Sequence, residues 1–160
     1  MMNHYFIMNS ESLDVLVRLS VAMVCGMLLG AERVISHKSA GMRTYALVAM
    51  GAALFAIVGD LAIGSSLSGP LVSGIVSGIG FMGAGVIIFK DASVTGLTTA
   101  SGLWVAAGIG AACGFNYLIL GVIATLLSLF VFIVLWYFEQ GVKIIANKID
   151  PIESEENKYR

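Results

Sequence analysis

Charge is scarce in this sequence: 12% of its 160 residues are Asp, Glu, Lys or Arg, against 58% hydrophobic residues. A water-soluble domain carries roughly a quarter charged and about 45–50% apolar residues, so this chain cannot cover a water-facing surface. Neither sign dominates, with 9 basic and 10 acidic residues; without a basic stripe for a phosphate backbone, the composition argues against nucleic acid as a partner. Cysteine is limited to Cys25 and Cys113, both inside apolar runs, where a thiol behaves as a small hydrophobe rather than a ligand, nucleophile or disulfide half. The first fourteen residues lack the basic start and small-residue cleavage site of a secretory signal, which leads to the expectation that the first apolar segment is retained. The absence of any nucleophile–base pair or metal-ligating cluster leads to the expectation of no enzyme and no cofactor.

Long apolar runs take the place of charge. A helix crosses the hydrocarbon layer in about 20 residues, since each rises about 1.5 Å through a layer about 30 Å thick. Five segments qualify: Leu13–Ala31, Tyr45–Ile63, Leu71–Phe89, Leu97–Phe115 and Tyr117–Phe138. The last two are separated by Asn116, with Gly114 just before it; a single helix through both would exceed twice one crossing, so a tight hairpin is expected. The predicted fold is therefore all-α, a polytopic bundle of five transmembrane helices embedded in a lipid bilayer. An external segment, residues 1–12, precedes the domain at 13–138, and a short charged tail, 139–160, follows it.

Lys and Arg near span ends favour the cytoplasm. Placing the first loop, the third loop and the C-terminus there collects eight of the nine basic residues and leaves only Arg18 opposite, beside Glu11, Asp14 and Asp60. The N-terminus is predicted outside and the C-terminus inside, which also puts His4 and His37 on opposite sides, where they cannot share a metal. Ser10 or Ser12 is expected to cap the first helix. Trp136 and Tyr137 suit the aromatic belt at the inner boundary. The tail, with Val142, Ile144, Ile145 and Ile149 among charges, reads as an amphipathic helix against the inner leaflet, ending before Pro151.

Nineteen glycines call for a reason, because glycine in a water-exposed helix loses about 1 kcal/mol relative to alanine. In lipid, small residues four apart let helix backbones touch. Such pairs occur at Gly26/Gly30, Gly74/Gly78 and Gly110/Gly114, predicting a compact bundle whose contacts are internal or between subunits. The run Gly78-Ile79-Gly80-Phe81-Met82-Gly83-Ala84-Gly85 lies in an apolar span without the strand or Lys-Ser of a nucleotide loop. Either it passes another helix closely, or it breaks the third helix so that freed backbone groups line a cavity.

Ionisable residues at membrane depth are costly unless paired or wet. Asp14 and Arg18 are four apart and can pair on one helix face, or else serve ligand access; Asp60 has no basic neighbour in sequence, and Arg18, in the same half of the bilayer, is its possible partner. At the inner face, Glu32-Arg33 close the first span and Arg43-Thr44 open the second, across a loop containing Gly41. This arrangement either anchors topology or forms a buried Glu32–Arg43 interaction that pins the two helix ends. Before Trp104, the hydroxyls of Thr95, Thr98, Thr99 and Ser101 can cap the fourth helix or bond preceding carbonyls.

At these segments the sequence resembles the transmembrane domain of the MgtC/SapB family. The likeness runs from Leu29-Gly30-Ala31-Glu32-Arg33 through Ala40-Gly41-Met42-Arg43-Thr44 to Gly51-Ala52-Ala53-Leu54-Phe55. It resumes at Val76-Ser77-Gly78-Ile79-Gly80-Phe81-Met82-Gly83-Ala84-Gly85, then at Gly96-Leu97-Thr98-Thr99-Ala100, Leu103-Trp104 and Ala107-Gly108-Ile109-Gly110. The resemblance implies a bacterial inner-membrane protein linked to magnesium limitation and to virulence-type adaptation, acting as a regulator of other membrane proteins; the alternative is a small ion or solute transporter or channel. It implies another membrane protein or further copies of the chain as partners. It also implies a soluble ACT-like domain after the bundle in many members, where this sequence has only its short tail. Two departures concern charge: Pro70 and Gly74 stand where the family commonly has Arg and Gln, and Thr95 where it has a further Arg. The functional residues expected are Glu32, Arg33, Gly41, Arg43 and Thr44 at the inner face, with Ser77, Gly78, Gly80, Gly83, Gly85, Thr98, Thr99 and Trp104 in the packed centre.

Overall fold

The computed structural model describes residues 2–63, 68–90 and 93–149. Its elements in order are α1 (Met2–Ile35), α2 (Met42–Ile63), α3 (Ser68–Val86), the strands β1 (Ile88–Lys90) and β2 (Ser93–Thr95), α4 (Leu97–Gly114), α5 (Leu118–Phe130), a π-type stretch (Val131–Leu135) and α6 (Trp136–Ile149). Among the described residues, five helical segments are long and apolar enough to cross a membrane: Glu11–Ile35, Met42–Leu61, Gly69–Val86, Leu97–Gly114 and Leu118–Val142. The five expected spans thus each have their helix. α1 differs at its start. It is already helical from Met2, so Ser10 and Ser12 are interior positions and not the expected caps.

The chain divides into two compact units, Met1–Ser128 and Leu129–Arg160. In the first, α2 is held between α1 and α4 by glycines on both neighbours. A methyl added at Gly26 would stand 2.9 Å from Ala49 Cβ, and one at Gly30 2.5 Å from Met42 Cα. On the other side, a methyl at Gly110 would lie 2.8 Å from Ala49 Cα and one at Gly114 2.9 Å from Ala53 Cα. Such distances are far below van der Waals contact, so these glycines let backbones meet where no side chain fits. The enclosed core is mostly alanine, with Ala22, Ala49, Ala53, Ala56 and Ala106 buried around the larger Leu29, Tyr45 and Leu103.

Two helix ends close by the same device. His37 (φ 53°) and Asn116 (φ 67°) adopt the left-handed conformation, which lets the next N–H reach back to the final turn. Lys38 N–H donates to Arg33 O at 2.9 Å, and Tyr117 N–H to Ala112 O at 2.8 Å. The second closure is the tight α4–α5 hairpin that the sequence requires. α5 then leans on α4 at Gly121, beside Cys113 and Ile109.

α3 departs from expectation. It is one unbroken helix, so the glycine run does not open the backbone; with no water competing for its amides, a glycine-rich helix keeps its ladder in lipid. Nor do most of these glycines pack: nothing in the chain lies within 4 Å of a methyl placed at Gly74, Gly78, Gly80 or Gly85, whereas at Gly83 Ala100 Cβ is 3.8 Å away. The helix stops at Val86 rather than Phe89, because the β-branched Ile87-Ile88 step leads into a two-stranded hairpin pairing Ile88 with Thr95 and Phe89 with Val94. Gly96 (φ 90°) turns the chain into α4 with no side-chain cap; Thr95 lies in β2 and Ser101 Oγ instead donates to Leu97 O at 2.9 Å.

In the second unit, Val131–Leu135 is followed by α6, whose Trp136 and Tyr137 rings meet edge to face at 5.0 Å. Both are exposed, as an aromatic belt requires. The expected helix end before Pro151 lies outside the described residues.

Candidate functional site

The ionisable groups of the first unit gather at opposite ends of its helices. Tyr45 Oη donates to Thr99 O at 3.3 Å, which brings the start of α2 beside the start of α4; Arg18 Nη1 donates to Gly114 O at 3.1 Å, which brings the first turns of the α1 span beside the end of α4.

The first end holds the more enclosed cluster. Glu32 lies in the last turn of α1, where the partial negative charge of the helix end disfavours a carboxylate. Two neighbours offset this. The Arg33 guanidinium meets Glu32 Oε2 through both Nε and Nη2, and Ser36 Oγ donates to Oε1 at 2.6 Å. Arg33 is 3% and Glu32 9% exposed, so two full charges are enclosed and neutralise each other. Of the two alternatives for this end, the Glu32–Arg43 interaction does not form among the described residues. Arg43 points outward, exposed, and makes no ion pair or hydrogen bond among the described residues. Arg33 is the adjacent residue and long enough to curl around the helix to the carboxylate. Gly41 lies in the turn between them, where a methyl would come within 2.9 Å of Cγ2 of the exposed Val34, and its carbonyl accepts the Tyr45 N–H at 3.1 Å.

Tyr45 is fully buried and ties α2 to α4 beside this cluster. Sequence reading missed it, because a tyrosine at the start of an apolar span reads as an interface anchor. Ser36 was also missed, although its position four residues after Glu32 is the spacing at which helix side chains meet.

At the opposite end the Asp14–Arg18 pair forms, and the possible Arg18–Asp60 pair does not form among the described residues. Arg18 pairs with Asp14 one turn away, and its second partner is the Gly114 carbonyl, one of the acceptors a helix end leaves open. Asp60 is exposed. Thr98 and Trp104 are exposed on α4, while Thr99 is buried. No group of three or more His, Cys, Asp or Glu able to hold a metal occurs among the described residues.

A second feature joins the first end. Between α2 and α3 runs a groove of about 780 Å³. Arg43 and Thr44 stand at its mouth; Leu47, Gly51 and Phe55 form one wall, Gly74 and Gly78 the other, and Ala107 of α4 lies at the floor. Leu47 and Phe55 are exposed on its rim, so the groove opens sideways. Of the expected central residues, Gly78 lines it, Gly83 touches α4, and Ser77, Gly80 and Gly85 face outward.

Comparison with known proteins gives this arrangement a context. Residues 19–140 match the MgtC family. "Protein MgtC" of Salmonella typhimurium is 45% identical over 114 residues, 71% of this chain and 49% of the relative. An uncharacterized protein of Synechocystis is 45% identical over 116 residues, 71% of this chain and 50% of its own, and "Protein MgtC" of Brucella abortus is 43% identical over 107 residues, 67% of this chain and 45% of the relative. The chain therefore spans about half the length of the curated relatives it matches. No solved structure matches. With the match covering three of the five apolar helices whole and most of the first and the last, the chain belongs to the MgtC family and is a multi-pass membrane protein of that type.

Proposed function

We propose that the chain is a non-enzymatic regulator in the bacterial inner membrane, acting on another membrane protein through helix packing during adaptation to magnesium limitation. The observation that carries this reading is the exposure of α3. Only Ile79 and Gly83 are buried among its described side chains, and its outward face presents Ser73, Ser77, Gly80 and Ala84, three or four residues apart and all exposed. Small residues at that spacing let a foreign helix approach backbone to backbone. A transporter would call for converging polar groups and unwound backbone at mid-membrane. Here α3 is continuous, and the enclosed charges sit at a helix end where they cancel.

The orientation belongs to the same proposal: the end bearing Lys38, Arg43 and Lys90 faces the cytoplasm. A thiol introduced as Lys38→Cys is expected to be labelled only from inside, and one introduced as Asp60→Cys only from outside; the native Cys25 and Cys113 are buried and give a low background. The functional test is growth at low magnesium combined with ion flux in liposomes. Gly80→Leu, which fills the outward face without touching the chain's own core, is expected to abolish the growth effect at normal protein levels, with no flux from the purified chain. Magnesium flux from the chain alone, or full growth with Gly80→Leu, would overturn the reading.

A further inference from the structure

We infer that the α2–α3 groove is a binding site for one acidic phospholipid of the leaflet at which Arg43 lies. The site is independent of the outward face of α3, which points away from it.

Depth is the first argument. From Arg43 to Phe55 α2 rises about 18 Å, and Leu71 of α3, beside Gly59, carries the lining to about 24 Å, most of a hydrocarbon core about 30 Å thick. The groove is thus long enough for a whole acyl chain hanging from a headgroup at the membrane boundary. Its 780 Å³ falls within the roughly 300–1,000 Å³ of sites that hold small ligands. Its walls are apolar below the mouth, and glycines at 51, 74 and 78 leave room where side chains would otherwise close it.

Charge at the mouth is the second. Arg43 is exposed and has no partner among the described residues, unlike Arg18 and Arg33, which are both paired. Thr44 adds a hydroxyl beside it. Both residues belong to the first turn of α2, whose leading amides have no carbonyl of their own helix to bond and carry the positive end of its dipole. A guanidinium, a hydroxyl and free amides over an apolar slot match a lipid phosphate over its chains. A partner helix, by contrast, would leave Arg43 unanswered unless it placed an acid at that depth.

Native mass spectrometry of the full chain in mild detergent, with equal phosphatidylglycerol and phosphatidylcholine, tests this. The wild type is expected to retain phosphatidylglycerol by about fivefold over phosphatidylcholine, the worth of one interfacial arginine. Arg43→Lys should keep the preference and Arg43→Gln lose it. Gly78→Leu, which fills the groove from a position with open space around it, should shed both lipids; Gly51→Leu is the second variant should the first fail to fold. An undiminished preference in Arg43→Gln, or retained lipid in a folded groove-filled variant, overturns the inference. So does a photoreactive residue at position 74 that crosslinks in native membranes to a polypeptide instead of a phospholipid.

Discussion

Arg33→Gln is the most demanding perturbation of the enclosed cluster. The substitution leaves the Glu32 carboxylate at 9% exposure, in a helix's last turn, with Ser36 Oγ as its remaining polar contact in the cluster. Breaking a buried ion pair by removing one partner costs about 3–5 kcal/mol, because the survivor is an uncompensated charge. Removing both charges, as in Glu32→Gln with Arg33→Met, is expected to cost less than Arg33→Gln alone, since the desolvation penalty goes with the pair. A double-mutant cycle on equilibrium unfolding in mixed micelles measures this, with a favourable coupling of about 1–3 kcal/mol expected. Single variants within about 0.5 kcal/mol of the wild type, or a cycle with no coupling, would refute the reasoning by showing that water solvates the carboxylate.

Among the glycines, Gly114→Ala places a methyl 2.6 Å from Ala56 Cβ and 2.9 Å from Ala53 Cα, and is expected to cost about 1–3 kcal/mol by overpacking; Gly74→Ala meets open space and should leave the thermal midpoint of the isolated chain unchanged or slightly raised. Tyr45→Phe removes the 3.3 Å hydrogen bond to Thr99 O and should lower unfolding free energy by about 0.5–1.5 kcal/mol. Asp14→Asn is expected to weaken the α1 end by no more than about 1 kcal/mol, as its carboxylate is half exposed, whereas Asp60→Asn should leave stability within about 0.5 kcal/mol; a larger loss from Asp60→Asn would restore the Arg18–Asp60 pairing that the structure lacks.

The spans were legible because twenty-odd apolar residues between charges have one reading in lipid. The α4–α5 hairpin was equally plain, since Asn116 tolerates the left-handed turn the reversal demands. The glycine pairs were legible only in part. Small residues at four-residue spacing say that a backbone can come close, not which helix takes the place, so Gly26/Gly30 and Gly110/Gly114 meet α2 while Gly74/Gly78 line an open groove. The Glu32–Arg33 cluster was visible as residue types but not as partners. Glu32 and Arg43 bracket one loop, yet side-chain reach favours Arg33 next door, and burial, which sequence does not display, makes that pair matter. The hairpin of β1 and β2 escaped because three-residue strands carry too few alternations to register as a period.

The sandwiching of α2 sets an order on assembly. Ala49 meets Gly26 on one side and Gly110 on the other, and those two positions are more than eighty residues apart along the ribosome's product. When α2 first reaches the bilayer, only its α1 side can be filled; the face around Ala49 and Ala53 stays bare until α4 has been made and has slid into place. For that interval the nascent protein shows its neighbours a groove cut for close backbone approach, and fidelity rests on how quickly its own fourth helix arrives.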